Sequence, residues 1–352
     1  MTRCTDSRPS SPAPASRTAA SRLPIPWAVA LAFLTAGCGK PSSFGEANSL
    51  IVVAPDSLWS QVSEETYARL EPTIFTTREE KKFVVTHVDP ASPQLGQLLL
   101  WRQVLVFAPP RDERLDRILR AAGRKGERGP AIVQAEDVWA LDQLATAVVL
   151  EAGRERESWR ELLPELARTV DEQYRDYVRR RMFVSGVDSA TAETLERRFG
   201  FSIQVPRVYR LVLRESAEGG DIAILRNDNP DPSELIRSIL IQARPRADSL
   251  APEAVAEWRE SVDGVHYNIP QRIDRSRGSE RSLTVGGRPA VEVTGTWIDE
   301  GGAVPAAGPF IARAVQCSKR TVFLDAWLYA PQRSKYEYML QLEEILGSFR
   351  CD

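Results

Sequence analysis

The chain alternates apolar and polar positions in two rhythms. From residue 49 to about 152 the rhythm is that of short buried strands and intervening helices. LIVVA (50–54) is a continuous apolar run, as expected of a strand covered on both faces. PDSLWSQVSEETYARLE follows, with Asp56 or Ser57 placed to cap a helix. KFVVTHV (82–88) and QVLVFA (103–108) predict two further strands. Between them, SPQLGQLLLW predicts a short helix capped by Ser92, with Pro93 at its first position. This β-α-β-α-β order predicts an α/β part with a partly parallel sheet. Residues 131–153 fit helix or strand equally well by pattern.

The rhythm then changes to period 3.6. Trp159, Leu162 or Leu163, Leu166, Val170, Tyr174, Val178 and Met182 recur every three or four residues, which predicts a long helix with one packing face. Pro164 marks a kink or a fresh start, and Arg179–Arg181 stand where a helix C-terminus favours cations. A second helix over 189–199 ends at Gly200. From residue 201 the period becomes two. FSIQVP, YRLVLRES, GGDIAILRN, LIRSILIQARP, GRPAVEVTGTWIDE, GPFIARAVQC and TVFLDAWLYAP each read as a strand. PEAVAEWRESV (252–262) and SKYEYMLQLEEILGSF, capped by Ser334, read as helices. The expected organisation is an α/β domain over 49–152, a helical connector over 153–200 and an α+β sandwich over 201–352.

Ahead of the body stands a different kind of segment. Residues 1–22 carry Arg3, Arg8, Arg17 and Arg22 against Asp6, and LPIPWAVALAFLTA (23–36) is uncharged and apolar. Ala36 and Gly37 then precede Cys38. Positive, apolar and small-residue regions in that order form an export signal. The run is shorter than the roughly 20 apolar residues of a bilayer crossing. The cysteine at the cleavage point resembles the bacterial lipoprotein signal. That resemblance implies a diacylglyceryl thioether on Cys38, cleavage before it (signal peptide 1–37) and a palmitate-type acyl chain on the new amine. The usual leucine three positions before the cysteine is here Thr35, with Leu34 one earlier. Gly39 after the cysteine, rather than Asp, implies sorting to the outer membrane facing the periplasm. GKPSSFGEAN, within a tether over 38–48, is rich in Gly, Ser and Pro.

Composition narrows the chemistry. The 352 residues carry a net charge of −2, which becomes −5 without the first 37. The charge-dense stretch 111–130 mixes signs without interleaved aromatics, so it reads as a solvated helix and loop, and nucleic acid is not an expected partner. There are two histidines, His87 and His266, and four cysteines, without CxxC or HExxH spacing; neither a metal nor another cofactor is expected. No G-x-S-x-G is present and neither histidine has a motif around it, so no catalytic residue can be named. His87 reads as a strand side chain and His266 as loop packing. NDNPDP (227–232) lacks the glycine and distal glutamate of a calcium loop and reads as a turn. In an oxidising compartment Cys317 and Cys351 could pair. Trp297, Gly308, Pro309 and Phe310 flank a Gly-rich loop between two strands and could form a rim for a partner or an apolar ligand.

Several segments together carry a family resemblance: NSLIVVAPDSLW, VWA followed by Gln143, RERE (154–157), RRFGFSIQVPRVYRL, GPF (308–310) and LYAPQRSKYEYMLQLEEIL. In order and spacing, over about 48–349, they resemble a bacterial lipoprotein family filed as a domain of unknown function (4837). The resemblance implies a cell-envelope lipoprotein and a strand at about 143–151; it implies no activity. At looser, arrangement level the run from 201 resembles the PsbP-like sandwich, with a strand opening Gly287-Arg288-Pro289-Ala290 and a last helix ending near Ser-Phe. Proteins of that layout mostly bind partners. The expected function is therefore a non-catalytic envelope module that binds a protein partner or a small apolar ligand, with an envelope hydrolase as the alternative.

Cys38→Ala is expected to abolish incorporation of labelled palmitate in the native host and to move the protein out of the membrane fraction. A variant that labels like the wild type would overturn the lipoprotein reading.

Overall fold

The computed structural model describes residues 39–214, 221–229, 233–267, 270–299, 301 and 306–352. Lys40–Asp352 form one compact unit.

The first half is built on a five-stranded mixed sheet. Strand β1 (Ser49–Val53) leads into α1 (Asp56–Leu70), then a small hairpin of β2 (Thr73–Phe75) and β3 (Glu79–Lys81), then β4 (Val84–Val88). Helix α2 (Leu95–Leu98), β5 (Gln103–Ala108), α3 (Glu113–Ala121), β6 (Ala131–Glu136) and β7 (Leu144–Val149) complete it. The order is β4-β1-β5-β7-β6, parallel except for the β6–β7 pair. The ambiguous stretch 131–153 is thus two strands. Alternation explains why LIVVA is apolar throughout: Leu50 and Val52 face α1, while Ile51 and Val53 face α3. The charge-dense stretch also joins this core, because Leu115, Ile118 and Leu119 on α3 are buried. Neither expected cap of α1 is used. The helix begins at Asp56, whose N–H is taken by the Asp89 carboxylate at 2.9 Å. α2 is shorter than expected and begins after Gln94.

Helix α4 (Glu155–Met182) runs through Pro164 without interruption, and all the stripe residues are buried. Trp159 to Val178 enter the core under the first sheet, whereas Met182 enters the core of the second. α5 (Ser189–Phe199) is capped by the Asp188 carboxylate and ends at Gly200.

The second half holds β8 (Phe201–Ser202), β9 (Arg210–Arg214), β10 (Ile222–Asn227), β11 (Ile236–Pro245), α6 (Pro252–His266), β12 (Arg272–Val285), β13 (Arg288–Asp299), β14 (Ala306–Gln316), β15 (Arg320–Tyr329), α7 (Tyr336–Gly347) and β16 (Arg350–Cys351). Seven of these strands form an antiparallel sheet in the order β12-β13-β14-β15-β11-β10-β9. One face packs beneath α7 and α5, the other beneath α6. α6 runs four residues further than its sequence pattern suggests, so His266 is its last residue rather than part of a loop.

The residues expected as a tether are docked from Lys40 on. Ser42 bridges to Leu141 and Phe44 to Trp101, alongside the first sheet. The Phe44 and Trp101 rings lie 5.6 Å apart. This contact removes the freedom that the Gly/Ser/Pro composition suggests.

Gly308 is required by close approach. It pairs with Trp297 across β13–β14, and a Cβ there would stand 1.8 Å from the Leu328 carbonyl oxygen and 2.6 Å from the Trp297 indole nitrogen. Gly308→Ala is expected to destabilise the fold by at least about 2 kcal/mol through overpacking. Chemical denaturation with an unchanged midpoint would contradict that packing.

Candidate functional site

α7 is held at its start by a residue far away in sequence. The Glu80 carboxylate on β3 accepts the backbone N–H groups of Lys335 at 2.7 Å and Tyr336 at 3.3 Å. A carboxylate at a helix N-terminus satisfies orphan donors and complements the helix dipole. Lys335 and Arg78 lie 3.6 and 3.7 Å from the same carboxylate. The turn after β2 is fixed to the second sheet where the Thr296 hydroxyl donates to the Thr76 carbonyl at 2.8 Å.

Between this hairpin, α4, α7 and the sheet lies a cleft of about 510 Å³. Its apolar lining includes Ile74, Pro309, Ile311, Met339 and Leu340. Ser279, Thr294, Arg281, Glu292, Arg175 and Glu343 supply the polar side. A larger, charged hollow of about 820 Å³ towards α5 shares Arg175, Arg281 and Glu343 with it.

The charged side chains form one alternating chain across the protein. Lys82 meets Asp171 at 2.6 Å, Asp171 meets Arg175 at 3.3 Å and Arg175 meets Glu343 at 3.0 Å. Glu343 meets Arg281 at 3.3 Å, and Glu292 joins Arg281 at 2.6 Å to Arg313 at 2.5 Å. Glu292 and Arg313 are buried on the α7 face of the sheet, whereas the Arg281 side chain remains half exposed. Burial alone would push the Glu343 carboxyl up, but the Arg175 hydrogen bond and the charges of Arg175, Arg313 and Arg281 hold it below its ordinary value. Of these groups Arg175, Arg281, Glu292 and Glu343 line the cleft, so its charged wall is balanced in sign beside an apolar floor. That arrangement suits a molecule with an apolar body and an anionic or strongly polar head.

On the opposite face the sheet carries a wholly buried ion pair. Arg259 of α6 donates to Asp325 at 3.0 Å and to the Gln271 side chain at 2.7 Å, and Tyr267 donates to Asp325 at 2.5 Å. Burial pushes the Asp325 carboxyl above its ordinary value. The Arg259 guanidinium also lies 4.0 Å from the centre of the Phe310 ring. With Arg259, Asp325 and Tyr267 bonded to one another, this group fastens α6 to β15.

The residues singled out from sequence separate accordingly. Cys38 lies outside the described residues. Cys317 and Cys351 form a disulfide with Cα atoms 5.8 Å apart, closing the end of β14 onto the C-terminus. The expected rim is corrected. Trp297 and Phe310 are 0% and 1% exposed and belong to the core beneath α6, with Gly308 packed under Trp297. Alternation turns the Pro309 side chain towards the cleft, which Phe310 also lines. Part of the loop between them, and part of NDNPDP, lies outside the described residues. His87 stacks on Trp59 with ring centres 4.6 Å apart, and its Nε2 meets the Ala54 carbonyl at 2.8 Å. Sequence reasoning missed Arg281, Glu292 and Arg313. The available signal was a charge set among inward-facing strand positions, as in VEV and ARA. Among the described residues no group of three His, Cys, Asp or Glu side chains could hold a metal, and no helix is long and apolar enough to cross a membrane.

Two sheets of different type, joined by a long helix and leaving a cleft beneath the last one, define an α/β plus α+β protein with a polar-walled apolar site. Residues 188–348 match a family model described as Domain of unknown function (DUF4837). The match is narrower than the span of the sequence resemblance and falls on α5 and the second sheet. No curated protein matches the chain. Three solved structures are similar in part. LpqN of Mycobacterium tuberculosis, described as involved in cell envelope biogenesis, is 18% identical, with 43% of this chain and 82% of that one covered and a TM-score of 0.28. A protein from Bacteroides thetaiotaomicron is 14% identical over 43% of this chain and 45% of its own, at a TM-score of 0.26. The cyanobacterial PsbP protein of Synechocystis is 10% identical over 44% and 87%, at 0.31.

Because Glu343 has a lowered pKa, the stability it contributes is present above the ordinary glutamate value of 4.5 and is lost as pH falls through the folded-state value. Glu343→Gln is therefore expected to cost about 1–2 kcal/mol at pH 7, a modest figure because the pair is partly solvated. The wild-type advantage should shrink in denaturation curves taken below pH 4.5. A difference independent of pH would refute an ionic role.

Proposed function

We propose that this chain is a lipid-anchored cell-envelope protein, held to the outer membrane by acylated Cys38, whose body binds a small apolar molecule with an anionic head. The observation that carries the binding reading is the cleft of about 510 Å³ beneath α7, with its apolar floor and a wall on which Arg175 and Arg281 alternate with Glu292 and Glu343. Arg281 is half exposed at this wall and bonded to two carboxylates, so an incoming anionic head can compete for it without leaving a cation buried alone. Ile74, Met339 and Leu340 supply apolar surface along the body of such a ligand. The order of charged, apolar and small residues before Cys38 supports export and anchoring.

A fluorescent long-chain carboxylate titrated into the purified protein is expected to bind saturably. Met339→Trp, which fills the cleft, should weaken binding at least tenfold. Arg281→Ala should weaken it less, and should reduce its salt dependence. Absence of saturable binding, or equal binding by Met339→Trp, would exclude the cleft as a ligand site.

A further inference from the structure

The face of the second sheet turned towards α6 carries another hollow, of about 230 Å³, near the β9 edge. Strand register sets its floor. Arg210 of β9 lies opposite Arg226 of β10, Arg226 opposite Ser238 of β11, and Ser238 opposite Trp327 of β15. Residues directly opposite in a sheet share a face, so these four make one row. Arg214 stands four residues along β9 from Arg210 and therefore joins the same face. His266 and Tyr267, where α6 ends, line the hollow from above.

Two arginines opposite each other on neighbouring strands repel. Asp228 bridges them, at 2.9 Å from Arg210 and 2.6 Å from Arg226. Asp228 thus meets two guanidinium groups, and among the described residues Arg214 has no carboxylate partner within ion-pair distance. Among the described residues the lining of the hollow holds three arginines and no carboxylate. It also contains unanswered polar atoms. Trp327 is 4% exposed, and its indole Nε1 has no hydrogen-bond partner. The Nδ1 of His266 is likewise buried and unpartnered. An indole N–H can only donate, so an acceptor is what the site lacks. The Tyr267 hydroxyl is not available, because it donates to Asp325. Three arginines together with a buried indole N–H that lacks an acceptor suit a receptor for an oxyanion.

We propose that this hollow binds a phosphate group, with Arg214 and Arg226 supplying charge and Trp327 Nε1–H and His266 Nδ1–H supplying hydrogen bonds. The volume exceeds that of phosphate alone, so the ligand class is a phosphate ester carrying a short carbon skeleton, free or as a lipid headgroup. The site lies on the sheet face opposite the α7 cleft and does not depend on it.

His266 and His87 are the only histidines, so two resolved ring signals report the test. Burial and the charge of Arg214 hold His266 below its ordinary value of 6.5. An anion bound beside the ring should raise it. Inorganic phosphate, glycerol phosphate and vesicles of phosphatidic acid in phosphatidylcholine are added separately to the full chain in non-ionic detergent or on vesicles. Expected is a saturable upward shift of the His266 titration with His87 unmoved, and at least tenfold weaker binding by Arg214→Gln, an exposed position that should fold normally. Trp327→Phe should weaken binding severalfold while leaving the denaturation midpoint close to that of the wild type. Preference for glycerol phosphate over phosphate marks a soluble ester; binding only to phosphatidic acid vesicles marks a headgroup. No saturable His266 response to any of the three probes at millimolar phosphate, or undiminished binding by Arg214→Gln, overturns the proposal.

Discussion

The Glu80 carboxylate at the start of α7 is the contact on which the arrangement of the whole protein turns. It accepts two backbone N–H groups that the helix cannot satisfy itself, and it does so in a nearly dry environment shared with Lys335. Unmade hydrogen bonds at a buried helix end are costly, so the hairpin carrying Glu80 and the helix carrying Leu340 are held together. Leu340 then enters the core of the first sheet, while Leu342, Ile345 and Leu346 on the same helix enter the core of the second. One short helix thereby serves two hydrophobic cores.

α4 does the same over a longer distance. Its stripe supplies the first core from Trp159 to Val178 and the second at Met182. The space between these two shared helices and the sheet cannot be closed by apolar side chains alone, because Arg175, Glu343, Arg281, Glu292 and Arg313 occupy it. Their alternating signs compensate one another, and the partly solvated Arg281 end keeps the cleft open. A core with this much charge is held by mutual pairing. The α6 face of the same sheet is treated differently: Arg259 and Asp325 pair in the core there, and three arginines line the hollow towards the β9 edge.

Much of the scaffold was legible along the chain. LIVVA and QVLVFA read as doubly buried strands because both faces of the first sheet are covered. The stripe of α4 read correctly because every one of its positions is spent on packing. From residue 201 onward the pattern held for β9, β10, β11, β13, β14 and β15, whereas FSIQVP is a strand only at Phe201–Ser202 and β12, a largely polar edge strand, was not predicted. The misreadings have physical causes too. Glycine, serine and proline in residues 39–48 suggested a tether, but Phe44 finds Trp101 and the backbone finds the sheet. Trp297 and Phe310 flank a glycine-rich loop as binding aromatics do, yet strand alternation sends both inward over Gly308. The charges within β12, β13 and β14 were visible but could not be assigned partners.

By itself the sequence determined the local elements and the apolar faces that had to be buried, since each follows from periodicity and residue type within a few turns of chain. Only the tertiary structure decided which faces meet, that Glu80 reaches a helix 255 residues away, and that seven charged groups join into one alternating chain. Such pairings depend on strand register and on the crossing of helices, and neither leaves a trace in the spacing of neighbouring residues.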